Sequence, residues 1–466
     1  MMLSSWPARR SVAAVLALLL LGGCASVGPE RGFDAVSALA KDRTGKDAKL
    51  LRNDDDAQSF ARITNAILGK PLSADDAVQL ALLNNPDLQA TYWNVGIAQA
   101  DLAQAGRLQN PSLGFQRTRA GGDIEIDRSL TFNFIGLLTM PLARRIEGNR
   151  FEQTKLFVAN QIVQHAAETR RAYYEAIAAV QEVDYAKQVS SSAEASAELA
   201  NRMAQAGNAS QLDLAREQAF YAEAAAAVAS ASKRSIAARE RLTRQMGLWG
   251  ANAAYTLQDR LPELPAAPAE LDNVERTAVR ERLDIEAARR EALQTAASLG
   301  LTRTTRFVNV LDLGYVRNSF PGQAAVGYEI SLELPLFDWG TARVARAEAI
   351  YMQSVNKVAQ TATNARSEAR ESYLAYRASY DLARHYRDQV IPLRKKITDE
   401  TQLRYNGMLA SVFELLTESR AQVAAVNGYI AALKDYWIAQ TNLEIALGGR
   451  LPSPVRAPDS KKEAQQ

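Results

Sequence analysis

A mainly α-helical chain with a small β part, built twice over, is what the sequence predicts, and three observations predict it. Most of the chain reads as long alanine-, glutamate- and arginine-rich stretches, four short segments alternate apolar and polar residues, and the order of these pieces repeats in the second half. Ala325 to Gly340 holds the clearest alternation: Val326, Tyr328, Ile330, Leu332 and Leu334 against Gly327, Glu329, Ser331 and Glu333. Only a strand sorts a period of two onto opposite faces.

The chain has 466 residues, 47% of them hydrophobic, so a stable fold is within reach. Its 55 basic and 52 acidic residues are closely interspersed, which gives no basic stripe and argues against nucleic-acid binding. Arg9 and Arg10 precede the apolar run Val12 to Leu21, too short to span a bilayer, and this is a signal peptide over 1–23. The run ends in Leu21-Gly22-Gly23-Cys24, which resembles a bacterial lipobox, with the only cysteine of the chain at its end. A mature chain beginning at Cys24 would carry acyl chains there, palmitate among them, each buried methylene adding roughly 0.8 kcal/mol of membrane affinity. Ser26, in place of an aspartate, implies sorting to the outer membrane. No other stretch reaches the ~20 apolar residues of a spanning helix, so any crossing is by strands.

From Cys24 to Lys70 the sequence is polar and weakly periodic, which predicts an extended or loosely packed leader over 24–70. Ser73-Ala74-Asp75-Asp76 after Pro71 is a capping-box-like start, and one helix is expected from there to about Leu102. Strand-like stretches Ser112–Arg117 and Ser129–Met140 flank Gly121-Gly122-Asp123, a β-hairpin signature. After Pro141 a helix runs to Gly207 and resumes from Gln211 to Gly247. A helix of ~60 residues would be ~90 Å long, which implies coiled-coil hairpins. A Pro-rich connector over 251–270 ends this first repeat, 71–250.

The second repeat, 271–448, follows the same plan. It reads as a helix from Leu271 to Leu299, a strand from Phe307 to Tyr315, a turn at Pro321-Gly322, a strand ending at Pro335, a long helix from Thr341 to Tyr405 and a last helix to Leu447, before a tail over 449–466. Met140-Pro141-Leu142 answers Leu334-Pro335-Leu336, and Phe132, Phe134 and Leu138 match Val326, Tyr328 and Leu332 in parity. The prolines are 194 residues apart and Ser210 and Ser411 are 201 apart, so the second long helix is expected to be one heptad longer.

Four strands of roughly 9 to 11 residues are long enough to cross a bilayer when tilted, yet four cannot close a barrel. An open edge in lipid costs several kcal/mol for each unsatisfied backbone group, so other copies must complete the sheet. Three copies give 12 strands, an allowed barrel. Val326, Tyr328, Ile330, Leu332, Phe132 and Phe134 are then lipid-facing, and Glu329, Ser331 and Glu333 face a water-filled lumen. Small residues such as Ala224 to Ala227, Ala237 and Ala238 let long helices pack side by side as a ring around a duct, although a solid bundle has the same periodicity.

The duplicated layout carries a resemblance. Together with PLSADDAVQLALLNNPDLQA from Pro71, LPLFDWG from Leu334 and RYNGMLAS from Arg404, it is similar to the TolC-like outer-membrane efflux protein family over nearly all of the mature chain. The resemblance implies a homotrimer: a transmembrane β-barrel completed by trimerisation, continuous with a long α-helical barrel across the periplasm. It implies a passive exit duct of a tripartite efflux or type I secretion system, with a periplasmic adaptor protein and an inner-membrane pump as partners. Its helix-hairpin tips, here at Gly207 and Ser210 and at Gly407 and Ser411, would dock the adaptor. Asp399, Glu400 and Arg404 are candidate gate residues, and an acidic ring there would favour cations.

No motif looks catalytic and none binds metal: His165 and His385 stand alone, and the seven methionines are scattered. No cofactor is expected apart from covalent lipid on Cys24. The competing reading is a lipid-anchored structural coiled coil of the envelope that conducts nothing, for which lipid-length strands would have no use.

Overall fold

A computed structural model of the chain describes residues 32–308 and 310–450. The signal peptide, Cys24 and the tail beyond 450 lie outside the described residues.

The leader, expected to be extended or loosely packed, is in fact helical over α1 (Phe33–Thr44) and α2 (Asp54–Leu68). Asn53 caps α2 by accepting from the Asp56 amide, and three aspartates fill the first turn, where the helix dipole favours them. Phe60 and Thr64 are buried, too few apolar positions to register as a period in the sequence.

Ser73 and Asp76 form the expected capping box of α3 (Ala74–Asn84). The single helix expected up to Leu102 is two, because Asn85 is extended (ψ 118°) ahead of Pro86 and α4 (Pro86–Ala105) begins anew. The second repeat breaks at the corresponding place, between α7 (Val274–Glu281) and α8 (Leu283–Thr304), with no proline there. The shared cause is a close approach. Gly247 (φ +66°) and Gly448 (φ +90°), 201 residues apart, lie against the two breaks; a Cβ would stand 2.5 Å from the Asn84 carbonyl oxygen and 2.8 Å from that of Glu281. Asn85 Nδ2 also donates to the Gln245 carbonyl at 3.0 Å.

Strands β1 (Ser112–Ala120), β2 (Asp123–Asn133), β3 (Leu311–Phe320) and β4 (Gln323–Leu332) form one antiparallel sheet in sequence order. Helix α5 (Phe134–Gln205) starts seven residues before Pro141, so the strand expected to reach Met140 is shorter, and Phe134 and Leu138 are helical. Asn133 is the reason: its Oδ1 accepts from the Gly136 amide at 2.6 Å and caps the helix. Pro141 therefore sits inside α5 and marks no junction. β3 likewise begins at Leu311, four residues later than expected.

In the second repeat the helix begins where expected, although the strand stops three residues short of Pro335. β4 ends at Leu332 and α9 (Thr341–His385) begins after Gly340, whose φ of +70° and a Cβ position 2.8 Å from the Arg306 carbonyl oxygen leave room only for glycine. α9 passes through one π turn, Tyr386–Val390, into α10 (Ile391–Asn406). These three pieces have 45, 5 and 16 residues against 72 in α5, so the second long helix is the shorter one, because α5 took over residues counted as strand. Helices α6 (Gln211–Met246) and α11 (Val412–Ala446) complete the two hairpins.

Two compact units each draw on both repeats. Among the described residues, one holds those up to Val36, Tyr92–Val158 and Asp284–Thr361, and includes the sheet; the other holds Ser37–Thr91, Ala159–Leu283 and those from Ala362 to Arg450. The second unit has the aromatic core: Tyr173, Tyr376, Tyr380 and Tyr436 are buried with Leu72, Leu80, Ile177 and Leu242. The Pro-rich connector is bound to this core by side chains, since prolines leave carbonyls without a ladder. Trp437 Nε1 donates to the Pro262 carbonyl (3.0 Å), the Tyr380 hydroxyl to that of Ala266 (2.8 Å), and the Ala269 amide to the Tyr376 hydroxyl (2.9 Å).

In that unit Arg170 bridges Asp75 and Glu444, at 2.8 Å to each. Burial alone would raise the Asp75 carboxyl, but the Arg170 guanidinium and the Lys46 ammonium outweigh it and hold it below the usual carboxylate range. Glu444 is more deeply buried, and there desolvation prevails over Arg170 and pushes its carboxyl up.

Candidate pore wall and helix tips

The sheet's register sorts most of its residues by chemistry, with every carboxylate on one face and most of the large apolar side chains on the other. One face carries Leu113 and Phe115 of β1, Leu130 and Phe132 of β2, Leu311, Leu313 and Tyr315 of β3, and Val326, Tyr328, Ile330 and Leu332 of β4. Phe132 opposes Leu313, which opposes Ile330; Leu130 opposes Tyr315, which opposes Tyr328, the last two rings edge to face at 6.5 Å. The other face carries Gln116, Asp127, Ser129, Thr131, Asp312, Asn318, Glu329 and Ser331. Its glycines make room where neighbours converge: a Cβ on Gly314 would stand 3.3 Å from Glu329 Cβ and 3.4 Å from Thr131 Oγ1.

The burial along β3 runs opposite to that of a protein dissolved in water. Leu313, Tyr315 and Arg317 are exposed while Gly314 is buried and Val316 and Asn318 are half-buried. Tyr328 is 90% exposed and Ile330 71%. Asp127 and Asn318 oppose each other on the polar face, and each keeps a shielded side-chain oxygen without a partner among the described residues. Such a face suits water, which can reach those oxygens, and the apolar face suits lipid. β1 and β4 are edges with unpaired backbone groups.

All five carboxylates on the strands, Asp123, Glu125, Asp127, Asp312 and Glu329, belong to the polar face, and no arginine does. Glu333 continues the same parity one residue beyond β4, its amide donating to the Val310 carbonyl at 3.3 Å. The sequence-based assignment of Val326, Tyr328, Ile330, Leu332 and Phe132 to one face and Glu329 and Ser331 to the other agrees with this register. Phe134 is withdrawn from the strand set, being the first residue of α5.

In the other unit the two hairpin tips are the same turn made from different residues. At the first, the Asn208 amide donates to the Met203 carbonyl at 2.8 Å and Gly207 takes φ +75° with open space around it. At the second, the Leu409 amide donates to the Arg404 carbonyl at 2.8 Å, and the left-handed residue is Met408 (φ +60°), not Gly407 (φ −82°). Met408 and Gly207 are 201 residues apart, the offset of the serines. The carbonyl-closing geometry selects the position, and at the second tip a methionine occupies it although Gly407 is adjacent. Ser210 and Ser411 cap the outgoing helices by accepting from the Asp213 and Glu414 amides, both at 3.1 Å. Met408 (95% exposed), Leu409 (82%) and Leu212 (60%) give the tips apolar side chains that the sequence reading did not single out.

Asp399, Glu400 and Arg404 all lie exposed on α10, and Glu400 and Arg404, one turn apart, form no ion pair among the described residues. His165 faces the Gln245 carbonyl at 3.0 Å. Among the described residues no cluster could hold a metal ion and no helix is long and apolar enough to cross a membrane.

No protein-family model matches the chain. Protein CyaE of Bordetella pertussis is 28% identical over 337 residues, which cover 66% of this chain and 70% of CyaE. Among solved structures, CusC, studied for the conformational changes that accompany folding and transmembrane channel formation, superposes with a TM-score of 0.68 at 16% identity, over 81% of this chain and 92% of CusC. The outer-membrane channel OprN superposes with a TM-score of 0.68 at 19% identity, over 88% and 95%. With its four-stranded sheet, its long helical hairpins and its duplicated order, the chain has the TolC-like channel fold.

Proposed function

We propose that the chain is the outer-membrane exit duct of a tripartite efflux or type I secretion system, working as a homotrimer that conducts substrates passively. The observation that carries this is the sheet: four strands of 9 to 11 residues with one exposed apolar face, one acidic face and two open edges. Only lipid outside, water inside and further strands at the edges satisfy all three features together. A tether without a pore has no use for them.

In this reading Cys24 carries the lipid anchor in the outer membrane, a periplasmic adaptor docks on the tips around Gly207, Ser210, Gly407 and Ser411, and an inner-membrane pump supplies energy. Asp399, Glu400 and Arg404 form the gate region. The acidic inner wall favours cations. Nothing catalytic is assigned, and no nucleic acid is involved.

The test is planar-bilayer recording of the purified oligomer, with crosslinking to count subunits. A cation-preferring conductance from a trimer is expected, and a monomer that never conducts would overturn the reading. For the tips, Gly207→Trp or Ser210→Trp should reduce efflux in cells while the trimer stays inserted. Unchanged efflux would remove docking from those residues.

A further inference from the structure

The four arginines of the strands share one face and one end of the sheet. Arg117 and Arg119 on β1, Arg128 on β2 and Arg317 on β3 all have the parity of the apolar face. Arg128 and Arg317 oppose each other directly. Arg117 pairs with Ile126, two residues from Arg128 on the same face, and is its diagonal neighbour. They border the aromatic part of the apolar belt: Phe115, Leu130 and Tyr315 are each followed, two residues nearer the turns, by Arg117, Arg128 and Arg317, while Ile126, Ile124 and Val326 continue the apolar face between them. The turns at Gly121-Gly122 and Pro321-Gly322 lie at the end of the sheet away from α5 and α9.

All four side chains are exposed, and none is in an ion pair among the described residues. Like charges directly across a strand pair repel. The strands own five carboxylates, but every one is on the opposite face. Neutralisation therefore comes from outside the sheet. A planar guanidinium suits phosphate oxygens two at a time, and a phosphate continuous with an apolar belt is the headgroup of a lipid whose acyl chains lie along that belt.

We propose that this arginine collar binds the phosphate headgroup of an anionic membrane lipid at the bilayer edge away from the helices. The proposal rests on the duct reading only for which face meets lipid. The test is native mass spectrometry of the full-length oligomer in detergent, titrated with phosphatidylglycerol or with phosphatidylcholine of the same acyl chains. Saturable retention of phosphatidylglycerol is expected, weakened about thirtyfold in R128Q/R317Q and about fivefold in R317Q alone, which covers a double variant that fails to assemble. Phosphatidylcholine retention should be the same in all, and E329Q, on the other face, should retain phosphatidylglycerol as the unchanged protein does.

Equal phosphatidylglycerol retention with and without the arginines would overturn the collar, as would its displacement by equimolar inorganic phosphate or an acidic peptide. Conductance separates the two readings. A conducting trimer indifferent to lipid charge sinks the collar and leaves the duct. Arginine-dependent lipid retention by a protein that never conducts sinks the duct and leaves the collar.

Discussion

The sheet and the tyrosine core use the same kinds of side chain for opposite solvents. Tyr328, Ile330 and Phe115 are exposed on the sheet, while Tyr376, Tyr436 and Ile177 are buried in the other unit. What differs is the pattern around them. In the core, hydroxyl and indole groups find partners, as Tyr376 and Trp437 do with the connector backbone. On the sheet the carboxylates are all on the far side of the strands, so the stretch of the apolar face around Tyr328 and Ile330 offers water no carboxylate. The comparison teaches that exposure of an apolar residue is informative only together with where its strand neighbours place their charges.

The largest expected effect attacks the sheet side. Ile330→Arg should cost about 2–4 kcal/mol in each subunit if this face meets lipid, and membrane fractions should lose the heat-resistant oligomer. Glu333→Gln or Glu329→Gln should insert normally. Insertion of the arginine variant with loss in the glutamine variants would reverse the faces.

The core side should respond to truncation instead of charge. Tyr376→Ala is expected to destabilise the second unit by about 3–5 kcal/mol, read from chemical denaturation, because it removes a buried ring stacked near Tyr436 (centroids 5.5 Å) and the acceptor of the Ala269 amide. Tyr376→Phe should cost far less, and equal losses in the two would mean that the hydroxyl, and not the packing, holds the connector.

The buried Arg170 bridge sharpens the contrast through pH. Glu444 has its carboxyl pushed up by burial, so its favourable contribution is present at acidic pH while it is protonated and is lost as pH rises through the raised value. Glu444→Gln should therefore gain thermal stability relative to the unchanged protein on going from pH 5 to pH 8. A constant difference across that range would show that Arg170 fully compensates the charge.

The smallest effect concerns the tips. Met408→Gly should stabilise its turn by about 1 kcal/mol by relieving a left-handed residue, while Gly207→Ala should lose a similar amount at the matching position. Hydrogen exchange of the Asn208 and Leu409 amides reads both. Loss of protection at Leu409 in Met408→Gly would mean that the methionine side chain itself holds the turn.

Much of the fold was legible because its signals are local. The capping box at Ser73, the Gly-Gly and Pro-Gly turns and the period of two in β4 each depend on residues within one turn or strand. The 201-residue offset carried the second half from the first. Errors fell where a local signal had two meanings. Phe132 and Phe134 keep strand parity in sequence, but Asn133 between them is a helix cap. Pro141 reads as a boundary, yet it stands inside α5.

By itself the sequence determined the order of long helices and strands from Ser73 onward, the duplication and the two faces of β4, since periodicity and length constrain these physically, and it pointed to partners at the sheet edges. Only the tertiary structure decided the rest. The breaks at Asn85 and Arg282 depend on Gly247 and Gly448 arriving from elsewhere in the chain. The left-handed residue at the second tip is fixed by the carbonyl it must serve, five residues back. The gathering of four arginines at one end of the apolar face depends on cross-strand register, which sets neighbours nearly 190 residues apart in the chain, Arg128 and Arg317, side by side.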